Sequence, residues 1–154
     1  MINSTLKKLG LAVTLTGMVF GLARCGGSSN SSNTASFSYI YSNTLNKSCT
    51  QCHTASVTTA QDSAGLDFSS QATAYSGLTS RTVNGTTART DCSTVHLVVA
   101  DSPSTSYLMG AITTGVFNVS GCTPVYSGVH DGLGLSSDEI SGIQAWINAG
   151  APND

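Results

Sequence analysis

Charged side chains are scarce in this chain of 154 residues: six Lys and Arg and eight Asp and Glu make up only 9% of it. So few cations cannot build a basic surface for nucleic acid. Apolar runs are short as well. The stretch from Leu9 to Ala23 falls below the roughly 20 residues that span a bilayer comfortably. No segment repeats another, and no acid–base constellation of the kind that carries catalysis is recognisable, so an enzyme is not expected.

What is abundant is Ser, Thr, Asn and Gly, a composition commoner in exported proteins than in charge-rich cytosolic enzymes. Lys7 and Lys8 ahead of the Leu9–Ala23 run read as a secretory signal, so residues 1–24 are expected to lie outside the fold. The run closes on Leu22, Ala23, Arg24 and Cys25, which resembles a bacterial lipoprotein signal whose Cys becomes the lipidated first residue. Arg24 stands where that pattern has a small residue. Three outcomes stay open: lipidation at Cys25, ordinary cleavage nearby, or an uncleaved anchor. Without residues 1–24, three cations (Lys47, Arg81 and Arg89) face eight acids, a net charge of −5. That balance favours a partner with a basic docking patch.

Residues 25–36 are rich in Gly, Ser and Asn, with Ala35 the one apolar side chain after Cys25, and read as a flexible tether. The folded domain is expected over 37–154. Phe37, Ile40, Tyr41 and Leu45 fall at near-helical spacing, which puts Cys49 on or just after a short helix. Asp67 is a candidate cap for a helix carrying Ala72, Tyr75 and Leu78, with Gly77 near its end. Val95, Leu97 and Val99 alternate as in a brief extended segment. Ser102 followed by Pro103 is a helix start, with Tyr107, Leu108, Ala111 and Ile112 on the buried face. The C-terminal helix has the fullest signature. Ser136 and Glu139 form a capping box, Leu135 and Ile140 a hydrophobic staple, and Ile140, Ile143, Trp146 and Ile147 one apolar face that Gly150 terminates. The fold class expected is mainly α, a helical domain with long loops.

Cys49, Cys52 and His53 form Cys-Thr-Gln-Cys-His, the spacing of covalent c-type haem attachment. Two thiols three positions apart on a helical turn can each form a thioether with a haem vinyl group, and the adjacent imidazole is then held over the iron. A zinc ribbon would need a second close Cys pair, and Cys92 and Cys122 are thirty residues apart. A redox dithiol of the thioredoxin kind would need a βαβ setting, which is not seen. One covalent haem c is therefore the expected cofactor. Of five cysteines, assigning Cys49 and Cys52 to haem and Cys25 to lipid or signal leaves Cys92 and Cys122 to pair. In an oxidising compartment that disulfide would contribute about 2–4 kcal/mol.

Over about residues 39–154 the chain resembles a small mono-haem c-type cytochrome. Pro103, Ser106 and Leu108 match the P-x-x-S-x-L element of a group common in bacterial outer-surface and planctomycete-type haem domains. Leu135, Ser136, Glu139, Ile140, Ile143, Trp146, Ile147, Gly150 and Ala151 match in order its closing pattern L-S-x-x-E-I-x-x-I-x-x-W-I-x-x-G-A. The resemblance implies that the haem-bearing N-terminal helix packs on the C-terminal one. It also implies a sixth ligand, usually Met, five residues before the L-S pair. His130 holds that position here, in the glycine-rich Gly-Val-His-Asp-Gly-Leu-Gly, and is the first candidate for the sixth ligand. Met109, His96 and an open site follow in that order. Met109 can equally be core, His96 a structural histidine, and Tyr126 either a ring-packing or a solvent-facing residue.

Two strong axial ligands leave iron no easy place for substrate, so the expected function is outer-sphere electron transfer with redox partner proteins. The expected location is the periplasm or cell surface, with an outer-membrane lipid anchor if Cys25 is modified. Two other classes stay open. A haem sensor or ligand-binding module would need a displaceable sixth ligand, and an extracellular cytochrome array would need self-association.

Overall fold

The computed structural model describes residues 34–54, 66–83, 90–124 and 130–154; the signal segment, Cys25, the tether up to residue 33, and Tyr126 lie outside the described residues. Ser36 starts the first helix, its hydroxyl accepting the Tyr39 N–H at 3.2 Å, and α1 spans Phe37–Ile40. The chain continues without a break from Tyr41 to Cys49 as a π-helix. In that winding each N–H reaches five residues back, and most natural examples are single turns. Phe37, Ile40, Thr44 and Leu45 form its buried side. Cys49 thus ends a helix, as the apolar spacing predicts, but a wider one than that spacing could distinguish.

Helix α2 spans Gln71–Ser80. Its cap is Ser70 and not Asp67, because Ser70 and Thr73 cap each other reciprocally through side chain and backbone. Asp67 instead accepts the Ser69 N–H at 2.9 Å, an Asx turn just upstream. The buried face is accordingly Ala74, Gly77 and Leu78, with Ala72 exposed. Gly77 lies inside the helix. A Cβ there would stand 3.1 Å from Leu66 Cδ2, so glycine admits that side chain.

The alternation at Val95, Leu97 and Val99 yields a single antiparallel bridge, Thr82 to His96, and no strand forms among the described residues. Leu97 and Val98 are both buried, which breaks the in–out alternation of a half-exposed strand. Pro103–Thr105 makes one 3-10 turn, and α3 follows over Tyr107–Ile112. Between them Ser106 is fully buried. Its hydroxyl accepts the Val99 N–H at 2.8 Å and donates to the Ser102 carbonyl at 2.9 Å, so a polar side chain replaces the missing backbone ladder. Cys92 and Cys122 are disulfide-bonded, with Cα atoms 4.8 Å apart, and Asp91 Oδ2 accepts the Thr123 N–H at 3.1 Å beside them.

Helix α4 spans Ser137–Asn148 and carries the capping box read from its sequence: Ser136 Oγ accepts the Glu139 N–H, and Glu139 Oε2 accepts the Ser136 N–H at 2.8 Å. At the other end the Ala151 N–H reaches the Trp146 carbonyl and the Gly150 N–H the Ile147 carbonyl, both at 3.0 Å. This Schellman closure needs Gly150 at φ +89°. Ile143, Trp146 and Ile147 are buried, each 1% exposed or less.

The core gathers these helices. Phe37 meets Trp146 at 5.0 Å and Tyr75 at 5.1 Å between ring centres, so α1, α2 and α4 share one aromatic cluster. The Trp146 Nε1–H donates to the Pro152 carbonyl at 2.8 Å, satisfying its one polar atom. The two ends of the domain meet where the Phe37 N–H donates to Asp154 Oδ1 at 2.7 Å and the Ser38 N–H to the Asp154 carbonyl at 2.9 Å. The protein is mainly helical, with 48% of the described residues in helices.

Candidate functional site

The Cys-Thr-Gln-Cys-His segment leaves the π-helix in a tight turn centred on one carbonyl. The Cys49 oxygen accepts the Cys52 N–H at 3.2 Å and the His53 N–H at 2.9 Å, while the Thr50 hydroxyl donates back to the Asn46 carbonyl at 2.7 Å. Cys49 is half-buried and Cys52 exposed, and the two are not bonded to each other. Burial, then the neighbouring Cys52 and Glu139, push the Cys49 thiol up to about 11, so it stays protonated at neutral pH.

His53 is anchored from both sides. Its carbonyl accepts the Phe68 N–H at 2.8 Å, and its ring packs on the Phe68 ring at 5.4 Å. Phe68 is a residue the sequence reading did not single out. It follows Asp67, whose capping chemistry drew attention to the backbone rather than to the ring beside it. Tyr41 reinforces the same corner, its hydroxyl donating to the Phe68 carbonyl at 3.2 Å.

The His130 ring lies across from the His53 ring, with 6.3 Å between centres and 30° between planes. His130 is held by a turn in which its carbonyl accepts the Leu133 N–H at 3.1 Å, followed by Gly134 at φ +64° and the cap of α4. The Nδ1 atoms of both rings are buried. The separation bears on what could sit between the rings. Two metal–imidazole bonds of about 2 Å in line, with about 1 Å from each bound nitrogen to its ring centre, come to about 6 Å. One metal ion between two imidazoles therefore fits the spacing. Among the described residues no cluster of three or more His, Cys, Asp or Glu side chains accompanies them.

The other two candidates differ in setting. Met109 is fully buried in the core on α3. His96 is exposed, with its backbone bridged to Thr82 and its carbonyl accepting the Tyr107 N–H at 3.1 Å. Fold and site together define a mainly helical protein in which the His130 ring faces the histidine of a Cys-x-x-Cys-His turn. Comparison with family models, curated proteins and solved structures returned no match.

Proposed function

We propose that the chain is an exported electron-transfer protein of the c-type cytochrome kind, with one haem linked at Cys49 and Cys52 and its iron between His53 and His130. The observation that carries this reading is the 6.3 Å between the two imidazole rings beside the attachment turn. When bound, the haem supplies one-electron chemistry at its iron.

The chain's own residues do the rest. The Cys49 carbonyl and Phe68 orient the His53 ring, and the turn after His130 presents the second imidazole. Cys49 and Cys52 would hold the cofactor covalently and so prevent its loss. A haem held by both His53 and His130 would leave substrate no entry, and the acidic surface around it would dock a partner with a basic patch. Asp131, exposed next to His130, contributes to that surface. Two histidines set a lower potential than a His–Met pair would. The signal segment would direct the chain out of the cytoplasm, and lipid at Cys25 would hold the domain at a membrane through the tether.

The test is whether pigment survives acid–acetone extraction and denaturation, which thioethers do. The oxidised protein should be low-spin and lack the weak far-red band of a Met–iron bond. In His130→Ala the reduced protein should take up carbon monoxide or imidazole, whereas Met109→Leu should change little. Free extraction of the pigment overturns the reading.

A further inference from the structure

The helix that ends at Cys49, just ahead of His53, and the segment that leads from His130 into α4 are joined at one side chain. Glu139 Oε2 accepts the Ser136 N–H and the Ser136 hydroxyl, each at 2.8 Å, and so fixes the start of α4 six residues after His130. Its other oxygen, Oε1, accepts the Thr44 hydroxyl at 3.3 Å, on the π-helix five residues before Cys49. Capping uses the first set of bonds and has no need of the second. Thr44 is only 2% exposed, so its hydroxyl is satisfied by protein and not by bulk water. The chain from each contact to its histidine is short and internally bonded. On one side run the helix to Cys49 and the His53 N–H to Cys49 carbonyl bond; on the other is the His130–Leu133 turn.

We infer that Glu139, acting through Thr44 and Ser136, is a positioning residue that sets the distance between the His53 and His130 rings. The inference rests on the reading of those rings as an axial pair.

Thr44→Val keeps the side chain's shape, removes the donor and leaves the Ser136–Glu139 cap in place. In the reduced full-length protein, carbon monoxide must displace His130 to bind. Its affinity should rise about tenfold in Thr44→Val and in Glu139→Ala, equivalent to about 1.4 kcal/mol, the scale of one hydrogen bond. Glu139→Gln, which retains an acceptor and a cap, should fall between those variants and the wild type. Ser106→Ala supplies the control for lost stability alone: it should lower the melting temperature yet leave carbon monoxide affinity at the wild-type value. A second readout is the nuclear Overhauser contact between the two imidazole rings in haem-free protein, expected in the wild type and weakened in Thr44→Val. If carbon monoxide affinity and ring contact both stay at wild-type values in Thr44→Val and Glu139→Ala, the positioning role is overturned and the haem reading stands. If the wild-type pigment extracts freely, the haem reading falls, and the ring contact alone decides the role of Glu139.

Discussion

The C-terminal helix and the N-terminal arm, α1 with its π-helical continuation, meet at the Phe37–Trp146 contact but are held together by different means. Helix α4 is closed at both ends by its own residues, with a reciprocal cap at Ser136 and Glu139 and a Schellman turn at Gly150. The arm has Ser36 at its start, and its further local bonds are exposed side-chain contacts such as Asn43 Nδ2 to the Tyr39 carbonyl at 3.0 Å. Its middle is held from outside, by Tyr41 on the Phe68 carbonyl, by Thr44 on Glu139, and by burial of Phe37, Ile40 and Leu45. A π-helix has little intrinsic stability, so this one owes its winding to what it packs against. The element that presents the cysteines therefore depends on the element that does not.

The sharpest way to break that dependence is Trp146→Ala. It removes the aromatic partner of Phe37 and Tyr75 and should cost about 3–5 kcal/mol in denaturant unfolding. Amide protection should be lost in the arm as well as in α4. A cost below about 1 kcal/mol, or an arm that keeps its protection, would show that the two helices are independent.

Ser136→Ala is milder and strikes α4 at a local bond, so about 1 kcal/mol is expected, read as fraying of the first turn of α4. Fraying of the arm instead would reverse the comparison.

The smallest effect is electrostatic. The Ser136 N–H, before all else, holds the Glu139 carboxyl below its usual value of 4.5, so its stabilisation is present above that value and is lost as pH falls through the lowered one. The melting temperature of the wild type should therefore fall more steeply on acidification than that of Glu139→Gln. Parallel curves would remove Glu139 from the account.

The same contrast explains what could be read in advance. The caps and apolar face of α4 are local chemistry, visible as Ser136, Glu139, Ile143, Trp146 and Gly150. The Cys-x-x-Cys-His turn is legible from the spacing of Cys49, Cys52 and His53. The Cys92–Cys122 disulfide follows from counting cysteines. His130 was reachable only through its position in a familiar pattern, since nothing around it in sequence points toward His53. The π winding was hidden, because Phe37, Ile40, Tyr41 and Leu45 suit a tight or a wide helix equally. The Thr44–Glu139 bond was hidden for another reason: its partners are 95 positions apart. Asp67 misled because the better cap, Ser70, stands three residues away with Thr73 to answer it.

The bond between the Phe37 amide and the Asp154 carboxylate, across 117 positions, has a consequence in time. Closing so long a loop is entropically costly and slow, and the contact cannot exist before the last residue of the domain is made. Until then the arm lacks Trp146 and Asp154, the partners it is built to meet. During that interval Cys49 and Cys52 belong to an arm whose packing partners are still missing, and Cys52 stays exposed after they arrive.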